Sequence, residues 1–295
     1  MNPREQGFLL LSSGLGDPQR KPLTTPQLRI LAQRIRNTSF SGEDRSLQQC
    51  DLVALGYDWQ TAQHILDLLS EEQVLEHYVR RGRKHGCVPV SRVSAQYPLV
   101  LRQRLGLDSP GCLWAKGNLS ILDKPSISLV GSRELNPENE AFARQVGCQA
   151  ARAGLVLVSG NARGADRAAQ EACLASGGQV ICVVADELTK HSGVQNVLYL
   201  SEDGFDDCFS SQRALSRNRV IHALGRTVFV AQAQKGKGGT WDGTVKNLRF
   251  GWSSVACFRD GSPASLELEQ MGAYLVDIAD LQDFGSICMD NKGFL

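Results

Sequence analysis

Two short apolar runs constrain the fold of this chain more than any other feature. The first reads Ser126-Ile-Ser-Leu-Val-Gly131-Ser132-Arg133, and the second reads Leu155-Val-Leu-Val-Ser159-Gly160-Asn-Ala-Arg163-Gly164-Ala-Asp166. Ile127–Val130 and Leu155–Val158 are short, mostly branched and lack polar alternation, the pattern of a strand buried on both faces. Between them Glu138–Ala153 carries Phe142, Val146 and Ala150 on one helical face, as a crossover helix requires. Each strand stops at a glycine, where the backbone turns tightly and lets a ligand approach closely. The loop that follows such a strand lies at the carboxyl edge of the sheet, where open α/β folds bind ligands. Arg133 and Arg163 place two guanidinium groups on that edge, so the stretch reads as an anion site, best suited to a phosphate backbone.

The same rhythm continues along the chain. Helix is predicted at 165–175, closed by Gly177-Gly178, then strands at 180–184 and, more weakly, 197–200. A helix over 209–224, a strand at 227–231, a helix at 241–250, a strand at 255–258, a helix at 266–271 and a last strand at 274–278 complete the alternation. Strands alternating with helices define an α/β fold with a doubly wound, mostly parallel sheet. Cys87–Val90 and Cys112–Gly117 read as short strands extending it, the second as an edge strand. The first 86 residues differ: Thr24-Thr25-Pro26 begins a helix, and 47–55 and 59–69 are two more around Gly56. This is a small helical domain of the SAM or helix-hairpin-helix kind, serving either to touch a DNA backbone or to pack and dimerise. The run Val79-Arg-Arg-Gly-Arg-Lys-His85 is a solvated helix end or a phosphate contact. Residues 281–295 read as a short polar tail.

Charge sharpens the search. With 32 basic and 31 acidic residues the formal net charge is +1, so nucleic-acid binding has to come from a local patch. The nine cysteines contain no Cys-x-x-Cys pair and fit buried thiols in a reducing cytoplasm. No signal-peptide core and no run of transmembrane length is present, so no membrane role is expected.

Four polar loops fall at strand ends or helix starts. They are Gly131-Ser132-Arg133; Ser159-Gly160-Asn-Ala-Arg163-Gly164-Ala-Asp166; Ser216-Arg217-Asn218-Arg219; and Gln234-Lys235-Gly236-Lys237-Gly238-Gly239-Thr240. The last is a glycine-rich turn whose amides can cradle an anion at the positive end of a helix. Together they bring six basic residues, Arg133, Arg163, Arg217, Arg219, Lys235 and Lys237, to one predicted edge. Each also has a structural explanation: Asp166 as a cap or ion-pair partner, Arg217 and Arg219 as salt bridges, the lysines as solvated loop residues. No Gly-x-Gly-x-x-Gly fingerprint, P-loop ending or Gly-x-Ser-x-Gly elbow is present. His191 and His222 lack metal-like spacing, so neither a metal nor a cofactor is expected. Asp186-Glu187 is the best acidic pair for acid–base work, or a loop cap.

Gly131-Ser-Arg133, Ser159-Gly-x-Ala-Arg-Gly-x-Asp166, Gly177-Gly178, Ser201-Glu202 and Arg217-Asn-Arg-Val-Ile221, preceded by Tyr97-Pro98 and Gly117-Asn118, occur in an order and spacing that resembles the DprA/Smf family of DNA-processing proteins. The resemblance covers about residues 88–278. It implies an extended Rossmann-like domain over 87–280 that binds single-stranded DNA non-catalytically and hands it to a RecA-type recombinase. It places DNA contacts on Arg133 and Arg163 and puts 217–219 in the same pocket. It implies a homodimer, or, in DprA-like antitoxins of phage-defence modules, a cognate toxin as partner. Departures are Gln170 where the family has histidine, Ala185-Asp-Glu-Leu in place of a glycine-rich stretch, Lys237-Gly-Gly-Thr-Trp-Asp-Gly243, Arg259-Asp-Gly, and no winged-helix segment after residue 280. The competing expectation is a nucleotide-binding or nucleotide-hydrolysing enzyme of the phosphoribohydrolase-like kind, using Glu187 or Glu202 as its acid.

Overall fold

The computed structural model describes residues 1–38, 46–202 and 204–288. Five helices open the chain: α1 (Pro3–Ser12), α2 (Thr25–Arg36), α3 (Gln49–Ala54), α4 (Trp59–Ser70) and α5 (Glu72–Lys84). Then come β1 (Cys87–Ser91), α6 (Leu99–Leu105), β2 (Cys112–Lys116), β3 (Ser126–Val130), α7 (Pro137–Arg152), β4 (Val156–Ser159), α8 (Ala165–Ala175), β5 (Gln179–Val184) and β6 (Val197–Glu202). The last part holds α9 (Ser211–Ser216), α10 (Asn218–Leu224), β7 (Thr227–Val230), α11 (Gly238–Phe250), β8 (Ser254–Phe258), α12 (Pro263–Gln270), β9 (Tyr274–Val276) and α13 (Phe284–Cys288).

Nine strands form one sheet in the order β1-β2-β6-β5-β4-β3-β7-β8-β9. The seven from β6 to β9 in that order pair in parallel, and β1 and β2 join antiparallel at one side. The α/β, Rossmann-like architecture expected from the sequence is therefore present. One detail differs: β2 is not an edge strand. It lies between β1 and β6, and Trp114 at its centre is fully buried. An alternating short strand looks like an edge only until a preceding strand covers it.

Alternation along each strand feeds two cores. Ile127, Leu129, Leu157, Val180, Cys182 and Phe229 face one layer, against Phe142, Val146 and Ala150 of α7 and Ala169 and Cys173 of α8. Val130, Val156, Val158, Ile181, Val228 and Val230 face the other, against α6, α10, α11 and α12. Helices α7 and α8 cross so closely at Gly147 that a Cβ there would strike the Ala169 carbonyl. Burial on both faces explains the missing polar alternation in the sequence.

A third, smaller core of Leu23, Leu31, Leu52, Leu55, Ala62, Ile65 and Leu68 lies among α2, α3 and α4. Helix α5 joins this unit to the sheet. Tyr78 packs edge-on to Trp114 with centroids 5.2 Å apart, and its hydroxyl donates to Asp206 at 2.6 Å. Within the basic run at 79–85, Arg81 pairs with Asp206, which makes that arginine a structural clasp. The segment expected to be a polar tail is, over 281–288, part of the core: Leu281, Phe284 and Cys288 are buried, and Phe284 stacks on Phe229 at 5.2 Å. Its buried residues escape notice among polar neighbours because Leu281 lies in a single 3-10 turn and Phe284 and Cys288 in a helix of only five residues. Residues 289–295 lie outside the described residues.

Candidate functional site

From β3 the chain winds one way through β4, β5 and β6 and the other way through β7, β8 and β9. The strand order therefore reverses between β3 and β7, and the crevice at their carboxyl ends is where such sheets take ligands. A cavity of about 450 Å³ lies there. It is lined by Gly131, Ser132 and Arg133 after β3, Ala162 and Asp166 after β4, Arg217 and Asn218 between α9 and α10, and Lys237–Thr240 at the start of α11.

The glycines make this convergence sterically possible. A Cβ on Gly131 would collide with the Cβ of Ala165, and one on Gly164 would meet the carbonyls of Ser132 and Arg133. Gly164 also has φ +79°, and Asn161 adopts φ +57°, a left-handed conformation that asparagine tolerates. The first two loops are thus pressed together backbone to backbone, and the Ala165 N–H donates to the Ser132 carbonyl at 3.1 Å. Thr240 Oγ1 donates to the Gly131 carbonyl at 2.9 Å, tying the first turn of α11 to the same loop.

Asp166 and Arg217 form the floor. Asp166 Oδ2 accepts the Gly160 N–H at 3.1 Å and the Ala162 N–H at 3.2 Å, which shapes the second loop around a buried carboxylate. Burial pushes its carboxyl above the usual range, against the pull of the Arg217 guanidinium and those two amides. Arg217 lies directly over Gly160, where any Cβ would overlap its guanidinium. Burial lowers its pKa, with Asp166 opposing. An arginine stays protonated even so, and its buried Nε has no hydrogen-bond partner.

The expected 209–224 helix is instead two, α9 and α10, meeting at Arg217, which caps both. That junction turns Arg217 into the cavity and sends Arg219 the other way. Arg219 Nη2 donates to Glu202 at 2.9 Å, and Nε donates to the Asp108 carbonyl at 3.3 Å, so it braces the fold. Asn218 lines the cavity while its Nδ2 donates to the Gly239 carbonyl at 3.0 Å. Lys235 pairs with Glu267 of α12, away from the cavity, whereas Lys237 lines it. Gln234 and Lys237 pair across a tight turn, which separates the two lysines. Ser159 is buried beneath the floor and accepts from Gln170, so the glutamine standing at the histidine position holds the second loop from below. Ser132 accepts the Glu134 N–H at 3.3 Å. Arg133 and Arg163 are exposed and have no hydrogen-bond partner among the described residues. Arg133 lines the cavity, and Arg163 follows Ala162 just outside it.

The acids proposed for catalysis lie elsewhere. Asp186 accepts from or pairs with His191 at 3.0 Å, and Glu187 pairs with Lys190 at 2.7 Å. Neither they nor Glu202 line the cavity. Sequence reasoning missed two contributors, Phe209 and Leu215, which form an apolar wall. Both precede the Arg-Asn-Arg segment as large apolar residues, a readable signal.

A doubly wound sheet whose switch point holds a glycine-walled, arginine-floored cavity at a helix amino terminus defines the class as a Rossmann-like protein with a cavity whose chemistry suits an anion. The family model described as DNA recombination-mediator protein A matches residues 89–247, more than half of the chain, and the chain belongs to that family. It is 33% identical over 182 residues to the DNA processing protein DprA of Streptococcus pneumoniae and 29% identical over 178 residues to that of Bacillus subtilis. These matches take in 57% and 56% of this chain but 64% and 58% of the relatives, so the chain spans less than two thirds of their length. The solved structure of S. pneumoniae DprA superposes with a TM-score of 0.73 at 26% identity, covering 96% of this chain and 98% of that one. DNA processing protein A of Helicobacter pylori, solved to describe its single-stranded DNA binding mode, shares the fold with a TM-score of 0.57 at 23% identity, over 70% of this chain and 97% of that one. Among the described residues no helix is long and apolar enough to cross a membrane.

Proposed function

We propose that this chain binds single-stranded DNA, without catalysis, by holding a backbone phosphate in the switch-point cavity. The observation that carries the reading is the pairing of the unengaged Arg133 guanidinium with the open amino end of α11 in one glycine-walled cavity, with the exposed Arg163 just outside it. Guanidinium forks and helix-terminal amides are the two groups best suited to phosphate oxygens. About 450 Å³ accommodates one nucleotide unit and not the width of a duplex. The only carboxylate in the lining, Asp166, is engaged by two amides and Arg217, which supports a binding rather than a catalytic role.

Arg133, Arg163, Arg217 and Lys237 are the residues assigned to the strand; Gly131, Gly160 and Gly164 give it room, and Asp166 and Asn218 set the loops. As partners, the family's description as a recombination mediator favours a recombinase over a toxin. A homodimer fits the exposed Leu266, Met271, Tyr274 and Ile278 around the edge strand β9.

Fluorescence anisotropy with a labelled oligothymidine at several salt concentrations tests the site. Single-strand binding should weaken with salt, with a log–log slope of about −0.7 per phosphate neutralised. Arg133→Ala combined with Arg163→Glu should make that slope shallower by about 1.4. An unchanged slope and affinity would remove both arginines from the site. Tighter binding of a mononucleotide than of the strand, with turnover, would favour the phosphoribohydrolase-like alternative.

A further inference from the structure

A second gathering of arginines lies where the helical unit meets the sheet, remote in sequence from the switch-point loops. A cleft of about 230 Å³ opens there between α1, the start of α2 and the segment from residue 92 to residue 111. Three guanidinium-bearing residues line it: Arg29 of α2, Arg92 just after β1 and Arg102 of α6. Among the described residues no carboxylate lines it. Phe8, Leu28 and Leu107 supply apolar surface. The three arginines are not equivalent. Arg92 is half-buried and held in place: its Nη1 donates to the Leu107 carbonyl at 2.9 Å and its Nη2 to the Gly106 carbonyl at 2.6 Å. Arg29 and Arg102 are exposed and have no hydrogen-bond partner among the described residues.

Burial holds the Arg92 pKa below its ordinary value; Tyr97 and Asp108 pull it up, and the like charge of Arg102 pushes it down further. An arginine stays protonated even so. The cleft therefore gathers like charges, with Asp108 near Arg92 but outside the lining. The frame around them is tight. Helix α1 lies so close that a Cβ on Gly111 would strike Ser12 and crowd Phe8, and the Arg92 N–H donates to the Gly111 carbonyl at 2.9 Å. Helix α2, twelve residues long, begins at the cleft with Thr25 in the lining, so the positive end of its dipole adds to the arginines. Cations at a helix amino end repel that end, and an anion placed among them relieves both repulsions. Guanidinium forks match phosphate oxygens two at a time. The volume lies below the roughly 300–1,000 Å³ of drug-sized pockets, so the occupant is a small molecule rather than a strand or a peptide.

We infer that this cleft is a second anion site, which binds a small phosphate monoester with its phosphate among Arg29, Arg92 and Arg102 and its organic body against Phe8 and Leu28. Arg92 is the fixed member, already braced by two carbonyls, and Arg29 and Arg102 are the two groups that the ligand engages. Because Phe8 and Arg29 belong to the helical unit and Arg92 and Arg102 to the sheet, the bound ester ties the two together. The inference is independent of the single-strand reading.

Isothermal titration calorimetry of the full chain with phenyl phosphate, inorganic phosphate and benzoate tests the assignment. Phenyl phosphate should bind about tenfold more tightly than inorganic phosphate, through its buried ring, and more tightly than benzoate, which carries one charge fewer. Arg29→Ala and Arg102→Ala, both at exposed positions, should each weaken phenyl phosphate by about tenfold, the scale of one charge-assisted contact. Arg133→Ala, at the switch-point cavity, should leave it within about twofold, and Arg29→Ala should leave oligothymidine affinity unchanged. Absence of phenyl phosphate binding up to about 10 mM overturns the site. Loss of that binding in Arg133→Ala but not in Arg29→Ala or Arg102→Ala assigns the ester to the switch-point cavity and overturns it as well. Benzoate bound as tightly as phenyl phosphate overturns the phosphate as the recognised group. None of these outcomes bears on the single strand, whose own test is the salt slope of oligothymidine binding.

Discussion

The two edges of the sheet carry cavities of opposite character. At the amino ends of the strands a groove of about 1100 Å³ runs between Tyr97–Arg104, Leu122–Ser126, Leu224, Arg226 and Phe250. At the carboxyl ends the switch-point cavity has 450 Å³. Volume alone favours the groove, and it too is basic, with Arg102, Arg104, Lys124 and Arg226. The difference lies in the backbone. Helices α10 and α11 end at the groove, at Leu224 and Phe250, so it faces the negative ends of two helix dipoles. Arg226 and Arg249 are the counter-charges expected there, and Arg104 donates to the Ala223 carbonyl at 3.1 Å, at the end of α10. At the carboxyl edge α11 begins, its amides open toward the cavity, and the cations add to the dipole. Four cations line the groove, where they balance carbonyls, and three line the cavity, where they add to the amino end of a helix, as the proposed anion site requires. Helix polarity decides between them.

Several substitutions would break or sharpen this contrast. The largest effect is expected from Asp166→Ala. It strands the Gly160 and Ala162 amides and leaves Arg217 buried without its counter-charge, costing about 3–5 kcal/mol, measurable by urea denaturation. A loss below about 1 kcal/mol would show that the floor of the cavity does not depend on the buried pair. Next comes a matched pair of double variants. Arg133→Ala with Arg163→Glu should weaken single-strand binding about a hundredfold at low salt, as two charge-assisted contacts would. Arg102→Ala with Arg226→Glu, at the other edge, should change it by about threefold or less, a long-range field effect only. Comparable losses from the two variants would erase the distinction between the edges.

The smallest effect concerns the helix that connects them. Helix α10 runs from Arg217 at one edge to Leu224 at the other, and His222 within it is buried with neither ring nitrogen bonded. Burial lowers its pKa from 6.5 to about 3. Between those values the unfolded chain binds a proton that the folded chain excludes, so stability rises with pH and is lost as pH falls through that window. The loss between pH 6.5 and 4.5 amounts to about 2 kcal/mol. His222→Leu should abolish that share of the slope while leaving stability near pH 7.5 within about 1 kcal/mol. An undiminished slope in thermal or urea melts across the window would assign it to other groups.

Much of this was open to reading in the residues themselves. Branched runs ending at glycine, separated by one-faced helices, have few solutions other than a parallel sheet, because a backbone buried on both faces must be hydrogen-bonded by neighbouring strands. Local pattern alone therefore identified β3 to β9 to within a few residues, together with the loops that follow them. It also placed Arg133, Arg163 and the glycine-rich start of α11 on one edge of the sheet. It misassigned what long-range contacts control. By local pattern β2 is an edge, Phe209–Leu224 one helix and the residues after 280 a tail, since covering strands, a break at Arg217 and three scattered core residues leave no local periodicity.

The fate of individual cations was decided by the tertiary structure. Arg217 and Arg219 are two residues apart in one motif, yet Arg217 floors the cavity and Arg219 pairs with Glu202. Lys235 and Lys237 flank one glycine, yet one pairs with Glu267 and the other lines the site. A sequence specifies which backbone groups must be buried and so the order of the strands. Which side chain meets which partner depends on elements up to a hundred residues away along the chain. The amino acids of this protein therefore determined the fold and the edge on which the polar loops converge. Only their packing decided that this edge is a small, two-walled cavity with arginine on one side and Phe209 on the other.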